Sequence, residues 1–176
     1  MELKGIVFFD LDGVVYPFNP NATREEWMAP GYYFSAISVI PAVKKAVEKL
    51  IEDGFDVRVL SCAPHNIAEN DKRNALKRDF GEEFAKRAII LPYGNDKSEA
   101  VQKAIGRKVC EWDLLIDDFS PNCHSWLGKA IKAYNGINGT HGTWKGASVR
   151  TDVSDYLDLY IPLKAYCELT KLEKVA

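Results

Sequence analysis

The sequence predicts an α/β fold in which a central parallel sheet is covered by helices on both faces. Five short runs rich in Val, Ile, Leu and Ala, helical patterns between them, and acidic pairs where two of the runs end support this class. Parallel neighbours need crossovers of a dozen or more residues, and helices supply them. Sheets of this kind bind ligands at the carboxyl ends of their strands.

Gly5 to Phe9 is the first apolar run and reads as a strand buried on both faces. Tyr16 to Ile40 fits neither the strand nor the helix period. It holds Pro17, Pro20, Pro30, Trp27 and the cluster Tyr32-Tyr33-Phe34, and reads as a small insertion over the site at about 16–40. Pro41 to Asp53 is the clearest helix: proline opens it, Val43, Ala46, Val47, Leu50 and Ile51 make one apolar face, and Gly54 closes it. Strands follow at Asp56 to Leu60, Ile89 to Leu91, Asp113 to Ile116 and Ile131 to Tyr134. Helical patterns cover Asn66 to Phe80, Lys97 to Ile105, Pro121 to Lys129 and Asp152 to Leu172. The result is a three-layer, Rossmann-like arrangement. With 176 residues, 47% of them hydrophobic, one core is expected, so 1–176 is read as a single domain.

The formal net charge is −2 with both signs interspersed, which argues against a nucleic-acid partner, so an anionic substrate has to be caught locally. The short apolar stretch after Lys4 lacks the length of a signal peptide and no run spans a bilayer, which predicts a cytoplasmic protein without a membrane partner. Cys62, Cys110, Cys123 and Cys167 form no CxxC pair and the 3 histidines are scattered, so structural zinc is not expected and the thiols read as reduced.

Asp10 and Asp12 stand at the carboxyl end of the first strand, followed by Gly13. Two carboxylates there are electrostatically costly unless a cation or proton compensates them. Asp117-Asp118 follows Leu114-Leu115-Ile116 in the same way. Singly, either pair is also what a helix cap or a turn requires. Together, on neighbouring strands, they make a hard oxygen site suited to Mg²⁺. Ser61 ends Val57-Arg58-Val59-Leu60, where a hydroxyl and the following amides either hold phosphate oxygens or cap a helix. Lys97 lies in the first turn of a helix whose Asp96 and Glu99 have capping-box spacing. A cation there opposes the helix dipole, so the ammonium either has another task, pairing with phosphate and a carboxylate, or is solvated.

These elements, in this order, resemble the haloacid dehalogenase (HAD) superfamily of phosphohydrolases: Asp10-x-Asp12 as its first motif, Ser61 as the second, Lys97 as the third and Asp117-Asp118 as the fourth. The resemblance implies a HAD-like fold and a covalent mechanism in which Asp10 attacks phosphorus while Asp12 moves protons. It also implies Mg²⁺ held by the Asp10 and Asp117 carboxylates, by the Asp12 carbonyl, and by Asp118 directly or through water. Within the superfamily the chain resembles the 5′(3′)-deoxyribonucleotidases, in Pro30-Gly31-Tyr32-Tyr33-Phe34 leading to Pro41, in Asp71-Lys72 with Phe80-Gly81 and Phe84, and in Asp96-Lys97. That likeness suggests Lys72 as a further phosphate contact, alongside Ser61 and Cys62 in the phosphate loop, and Tyr32, Tyr33 and Phe34 as a base pocket. Without it, Lys72 reads as a solvated helix residue and the aromatics as packing. The chain differs from these nucleotidases in the short stub at Tyr16 to Ala29 and in the single hydroxyl of Ser61-Cys62-Ala63-Pro64.

The expected function is therefore Mg²⁺-dependent hydrolysis of a small phosphate monoester, foremost a nucleoside monophosphate, with room left for homo-oligomerisation. A polynucleotide-end phosphatase and a non-catalytic phosphate-binding module are the alternatives. The glycine-rich segment from Gly136 to Trp144 lacks the lysine-hydroxyl ending of a nucleotide P-loop and reads as a loop that borders the site or merely turns the chain.

Overall fold

In a computed structural model, the protein is described over residues 5–19, 21, 23, 25–26, 29, 37–136 and 142–172, without the side chains of 169–172. Six strands form one sheet: β1 (Ile6–Phe9), β2 (Asp56–Ala63), β3 (Ile89–Pro92), β4 (Leu114–Asp117), β5 (Lys129–Tyr134) and β6 (Ser148–Arg150). Their order is β3-β2-β1-β4-β5-β6, and every pairing is parallel. The order reverses at β1, where β2 lies on one side and β4 on the other, and sheets of this kind bind ligands outside the carboxyl ends of the strands at such a switch point.

Among the described residues the helices that cover the sheet are α1 (Pro41–Glu52), α2 (Asn66–Phe80), α3 (Glu82–Lys86), α4 (Lys97–Ile105), α5 (Ser120–Ser125) and α6 (Leu157–Leu172). On one face Val7, Phe9, Val57, Val59, Ile116 and Ile131 pack against α1, α2 and α6. On the other, Phe8, Leu60 and Leu115 meet Val101 of α4 and Trp126, and Phe8 contacts Trp126 edge-on at a ring separation of 5.6 Å. Strands β1 and β4 are buried along their whole length, which is why they read as unbroken apolar runs.

The structure alters several expected boundaries. Strand β2 runs to Ala63, so Ser61 and Cys62 lie inside it rather than beyond its end. The helix expected at Pro121 to Lys129 stops at Ser125, and Lys129 already belongs to β5, with its amide donating to the Asp113 carbonyl. Gly128 marks the break: a Cβ there would lie 2.3 Å from that same carbonyl oxygen, so no other residue fits. The expected helix from Asp152 begins instead at Leu157. Helix α3 has only 5 residues and β6 only 3, too few for a periodicity to show.

At the amino end of the sheet the buried Asp113 carboxylate ties three elements together. It accepts from the Ile6 amide (2.9 Å), the Cys110 amide (2.9 Å) and both arms of Arg107 (2.6 and 2.8 Å). Burial would raise its pKa, but the guanidinium and the two amides prevail and hold it below the ordinary carboxylate value.

The two ends of the segment at about 16–40 are held together. The Ile40 amide donates to the Val15 carbonyl at 3.0 Å. On α2, Asp79 accepts the Tyr16 hydroxyl at 2.8 Å, while Arg78, paired with Asp79, donates to the Ile37 carbonyl at 2.8 Å. Burial first, and the Asp79 carboxylate second, raise the Tyr16 pKa and keep the phenol a donor.

Candidate active site

The site begins where β1 ends. The Asp10 amide donates to the Ile116 carbonyl at 2.9 Å, carrying the β1–β4 pairing one residue past the strand. The chain then turns back on itself: the Leu11 carbonyl accepts from the amides of Val14, Val15 and Tyr16 at 3.3, 3.0 and 2.9 Å. Gly13 takes a φ of 77°, a region glycine enters without strain. This turn brings Asp12 back beside Asp10. Asn135, 4% exposed just after β5, donates to the Gly13 carbonyl (3.1 Å) and to Thr151 Oγ1 (3.2 Å) and so braces the turn from the carboxyl end of β5.

Lys97 reaches this end of the sheet from α4. Asp96 caps that helix as its spacing predicts, accepting from the Glu99 amide at 3.0 Å. The Lys97 ammonium, 4% exposed, donates to Asp10 Oδ1 (2.8 Å), Asp117 Oδ2 (2.5 Å) and the Leu60 carbonyl (2.9 Å). It thus bridges β2, β1 and β4. Burial pulls its pKa down, but Asp10 and Asp117 outweigh burial and raise it, so the cation persists. Asp117 also accepts from the Phe119 amide (2.8 Å) and Asn122 Nδ2 (3.0 Å). Burial raises the Asp117 pKa, and Lys97 opposes the rise.

Lys72 arrives from α2 on the opposite face, 1% exposed. It donates to Asp12 Oδ2 at 2.8 Å, to Ser61 Oγ at 3.1 Å and to the Cys62 carbonyl. The solvated-helix reading of Lys72 is overturned: its aliphatic stem and its charge are both inside. Asp12 Oδ1 is buried and has no hydrogen-bond partner, so one oxygen of this carboxyl is fixed by Lys72 while the other is held inside without a donor. Burial raises the Asp12 pKa, Lys72 lowers it and Asp10 raises it again. The Cys62 side chain packs beside Leu60 and Val101, and burial pushes its thiol up.

Asp10, Asp117 and Asp118 each present a carboxylate oxygen within 4.8 Å of the others. Such an all-oxygen anionic set, with Lys97 anchoring Asp10 and Asp117 through one oxygen each, fits a hard divalent cation and provides no soft ligand. Behind it, the buried Lys132 of β5 donates to the Asp118 carbonyl. Neither Lys132 nor Asn135 is suggested by motif spacing. The available signal for Lys132 is a lysine flanked by Ile131 and Ala133 inside a strand. Tyr32, Tyr33 and Phe34 lie outside the described residues, as does much of the insertion around them.

The fold is that of the HAD-like hydrolases. No protein-family model and no curated protein matches the sequence. Among solved structures, the chain is similar to a haloacid dehalogenase-like family hydrolase from Xanthomonas campestris, at 10% identity and a TM-score of 0.58 over 96% of this chain and 98% of that one. A HAD hydrolase of family IA, variant 3, from Entamoeba histolytica matches at 12% identity and a TM-score of 0.59, over 96% and 100%. A HAD family hydrolase from Deinococcus radiodurans R1, with bound phosphate and sodium, matches at 11% identity and 0.58, over 93% and 96%.

Proposed function

We propose that this chain is a HAD superfamily phosphatase that hydrolyses a small phosphate monoester, with Mg²⁺ as cofactor, through a phosphorylated Asp10. The observation that carries the reading is the Lys97 bridge, which fixes one oxygen of Asp10 and one of Asp117 at 2.8 and 2.5 Å beside the Asp118 carboxylate. That geometry orients a nucleophile and leaves a cation site next to it. The phosphate bound by the Deinococcus radiodurans neighbour agrees with this choice of ligand.

The steps follow from the residues. The free oxygen of Asp10 attacks phosphorus, the bond from phosphorus to the ester oxygen breaks, and the leaving alkoxide takes a proton from Asp12. Lys72 holds Asp12 Oδ2 still, and Oδ1 has no partner of its own, so the carboxyl is oriented but not fully satisfied. Water then attacks phosphorus of the aspartyl-phosphate, Asp12 accepts the water's proton, and phosphate leaves with Asp10 restored as a carboxylate. Ser61, the amides after Cys62, Lys72 and Lys97 bind phosphoryl oxygens. Asp10, Asp117, Asp118 and the Asp12 carbonyl would hold Mg²⁺, which would neutralise charge developing on the phosphoryl group.

The substrate class we infer is a nucleoside monophosphate, as in a 5′-nucleotidase, with Tyr32, Tyr33 and Phe34 of the insertion at about 16–40 contacting the base. The protein is read as one cytoplasmic domain spanning 1–176. A screen of phosphorylated metabolites, with Mg²⁺ and after chelation, tests the proposal. Metal-dependent phosphate release from nucleotides supports it, and full turnover after exhaustive chelation refutes it.

A further inference from the structure

Lys132 is 4% exposed, and among the described residues its ammonium makes one hydrogen bond, to the Asp118 carbonyl, and no ion pair. It is paired in register with Asp117, so it points to the same face of the sheet as that carboxylate. Burying an ammonium against a single carbonyl is costly, and an apolar residue of the same volume would avoid the cost. What lysine adds at this position is a donor beneath the Asp118 carbonyl.

The same residue is held from the outside. The Lys132 amide donates to the Ala147 carbonyl at 2.9 Å, and that oxygen also accepts the Trp144 indole N–H at 2.8 Å. Trp144 meets His124 of α5 edge-on at 5.2 Å, and His124 Nε2 lies 3.2 Å from Thr143 Oγ1. Segment 142–147, the end of the glycine-rich stretch, is thereby fastened to the helix that follows Asp117-Asp118. Lys132 joins that fastening to the acidic limb itself.

We infer that Lys132 is a positioning residue that fixes the Asp118 limb for divalent-cation binding, with the Trp144–Ala147 contact as its outer brace. This deepens the proposed function and rests on its reading of the cation site. An ammonium near a cation site has two opposed effects: it repels the ion and it orders the ligands. The brace favours the second, because one donor there sets the direction in which the Asp118 residue leaves β4. Groups that orient metal ligands from behind typically change affinity by about 10- to 100-fold when removed.

The test is direct Mn²⁺ binding, by electron paramagnetic resonance or calorimetry, to the full chain and to Lys132→Met, Lys132→Arg and Trp144→Phe, with circular dichroism to establish folding. The expected result is at least about a 10-fold loss of Mn²⁺ affinity in Lys132→Met, substantial recovery in Lys132→Arg, and a smaller loss in Trp144→Phe. In turnover, Lys132→Met needs more Mg²⁺ for half-saturation while kcat at saturating Mg²⁺ stays near that of the wild type. Unchanged or tighter Mn²⁺ binding in folded Lys132→Met overturns the inference alone, a tighter value marking the lysine as a repelling charge. Absence of Mn²⁺ binding in the wild type overturns the proposed function with it. If Lys132→Met does not fold, unchanged Mn²⁺ affinity in Trp144→Phe overturns the inference.

Discussion

Replacing Lys97 by methionine keeps most of the side-chain volume and removes the charge that three strands share. At 2.8 and 2.5 Å from Asp10 and Asp117, each pair has a gross attraction of about 6 kcal/mol at an effective dielectric near 20. Desolvation of the ions offsets much of this, and breaking such a buried pair typically costs about 3–5 kcal/mol because the carboxylates remain inside unpaired. For a chain of this length each kcal/mol moves Tm by roughly 2–4 °C, so Lys97→Met should melt about 6–20 °C lower in the presence of chelator. Mg²⁺ should then restore part of the loss, since a ligand at a hundred times its Kd stabilises by about 2.7 kcal/mol. The restoration should exceed the Mg²⁺ shift of the wild type, because the ion also compensates charge that the lysine no longer balances. The assay is thermal unfolding by circular dichroism, with chelator and with saturating Mg²⁺, on both proteins. A chelated Lys97→Met within about 2 °C of the wild type, or equal Mg²⁺ shifts in both, would refute the reasoning.

Asp10→Asn should yield no trappable phosphoenzyme, whereas Asp12→Asn should slow both its formation and its hydrolysis by about 10²–10⁴-fold; mass spectrometry of quenched reactions checks both. Asp113, held below the ordinary carboxylate pKa by Arg107, contributes stability that is present above that ordinary value and is lost as pH falls through the depressed one. Arg107→Leu should therefore raise the acid-unfolding midpoint and cost about 1.5–3 kcal/mol at neutral pH, read from urea titrations at several pH values. Nucleoside monophosphates should be cleaved with higher kcat/KM than sugar phosphates, and one of Tyr32→Ala, Tyr33→Ala or Phe34→Ala should erase a preference of about 1–3 kcal/mol, as base stacking on an aromatic ring provides. Equal kcat/KM for the two substrate classes in the wild type would remove the nucleotidase assignment while leaving the phosphatase one.

The central strands were legible because β1 and β4 are buried on both faces, which leaves an apolar run with no gaps. The acidic pairs were legible because charge at the mouth of such a run has no packing explanation. Less was visible at the margins. Ser148–Arg150 carries one buried apolar residue, Val149, and is a strand only because β5 supplies its partners. Lys132 looks like an ordinary surface lysine in sequence and Lys72 stands out only through the nucleotidase resemblance, since burial of an ammonium depends on acceptors that come from remote segments. Asp12 and Ser61 lie 60 and 11 residues from Lys72, and the Asp118 carbonyl lies 14 residues from Lys132. Asn135 braces Gly13 across 122 residues of chain, a contact no local pattern encodes.

Tyr16, Ile37, Asp79 and Arg78 fasten the two ends of the segment at about 16–40 to each other. Because Tyr16 and Ile37 are both tied to α2, the entropy of closing the chain between them depends only weakly on its length, and doubling that length would cost only about 0.6 kcal/mol. Segments of very different size could therefore be exchanged at Tyr16 and Ile37 without disturbing Asp10 or Asp12.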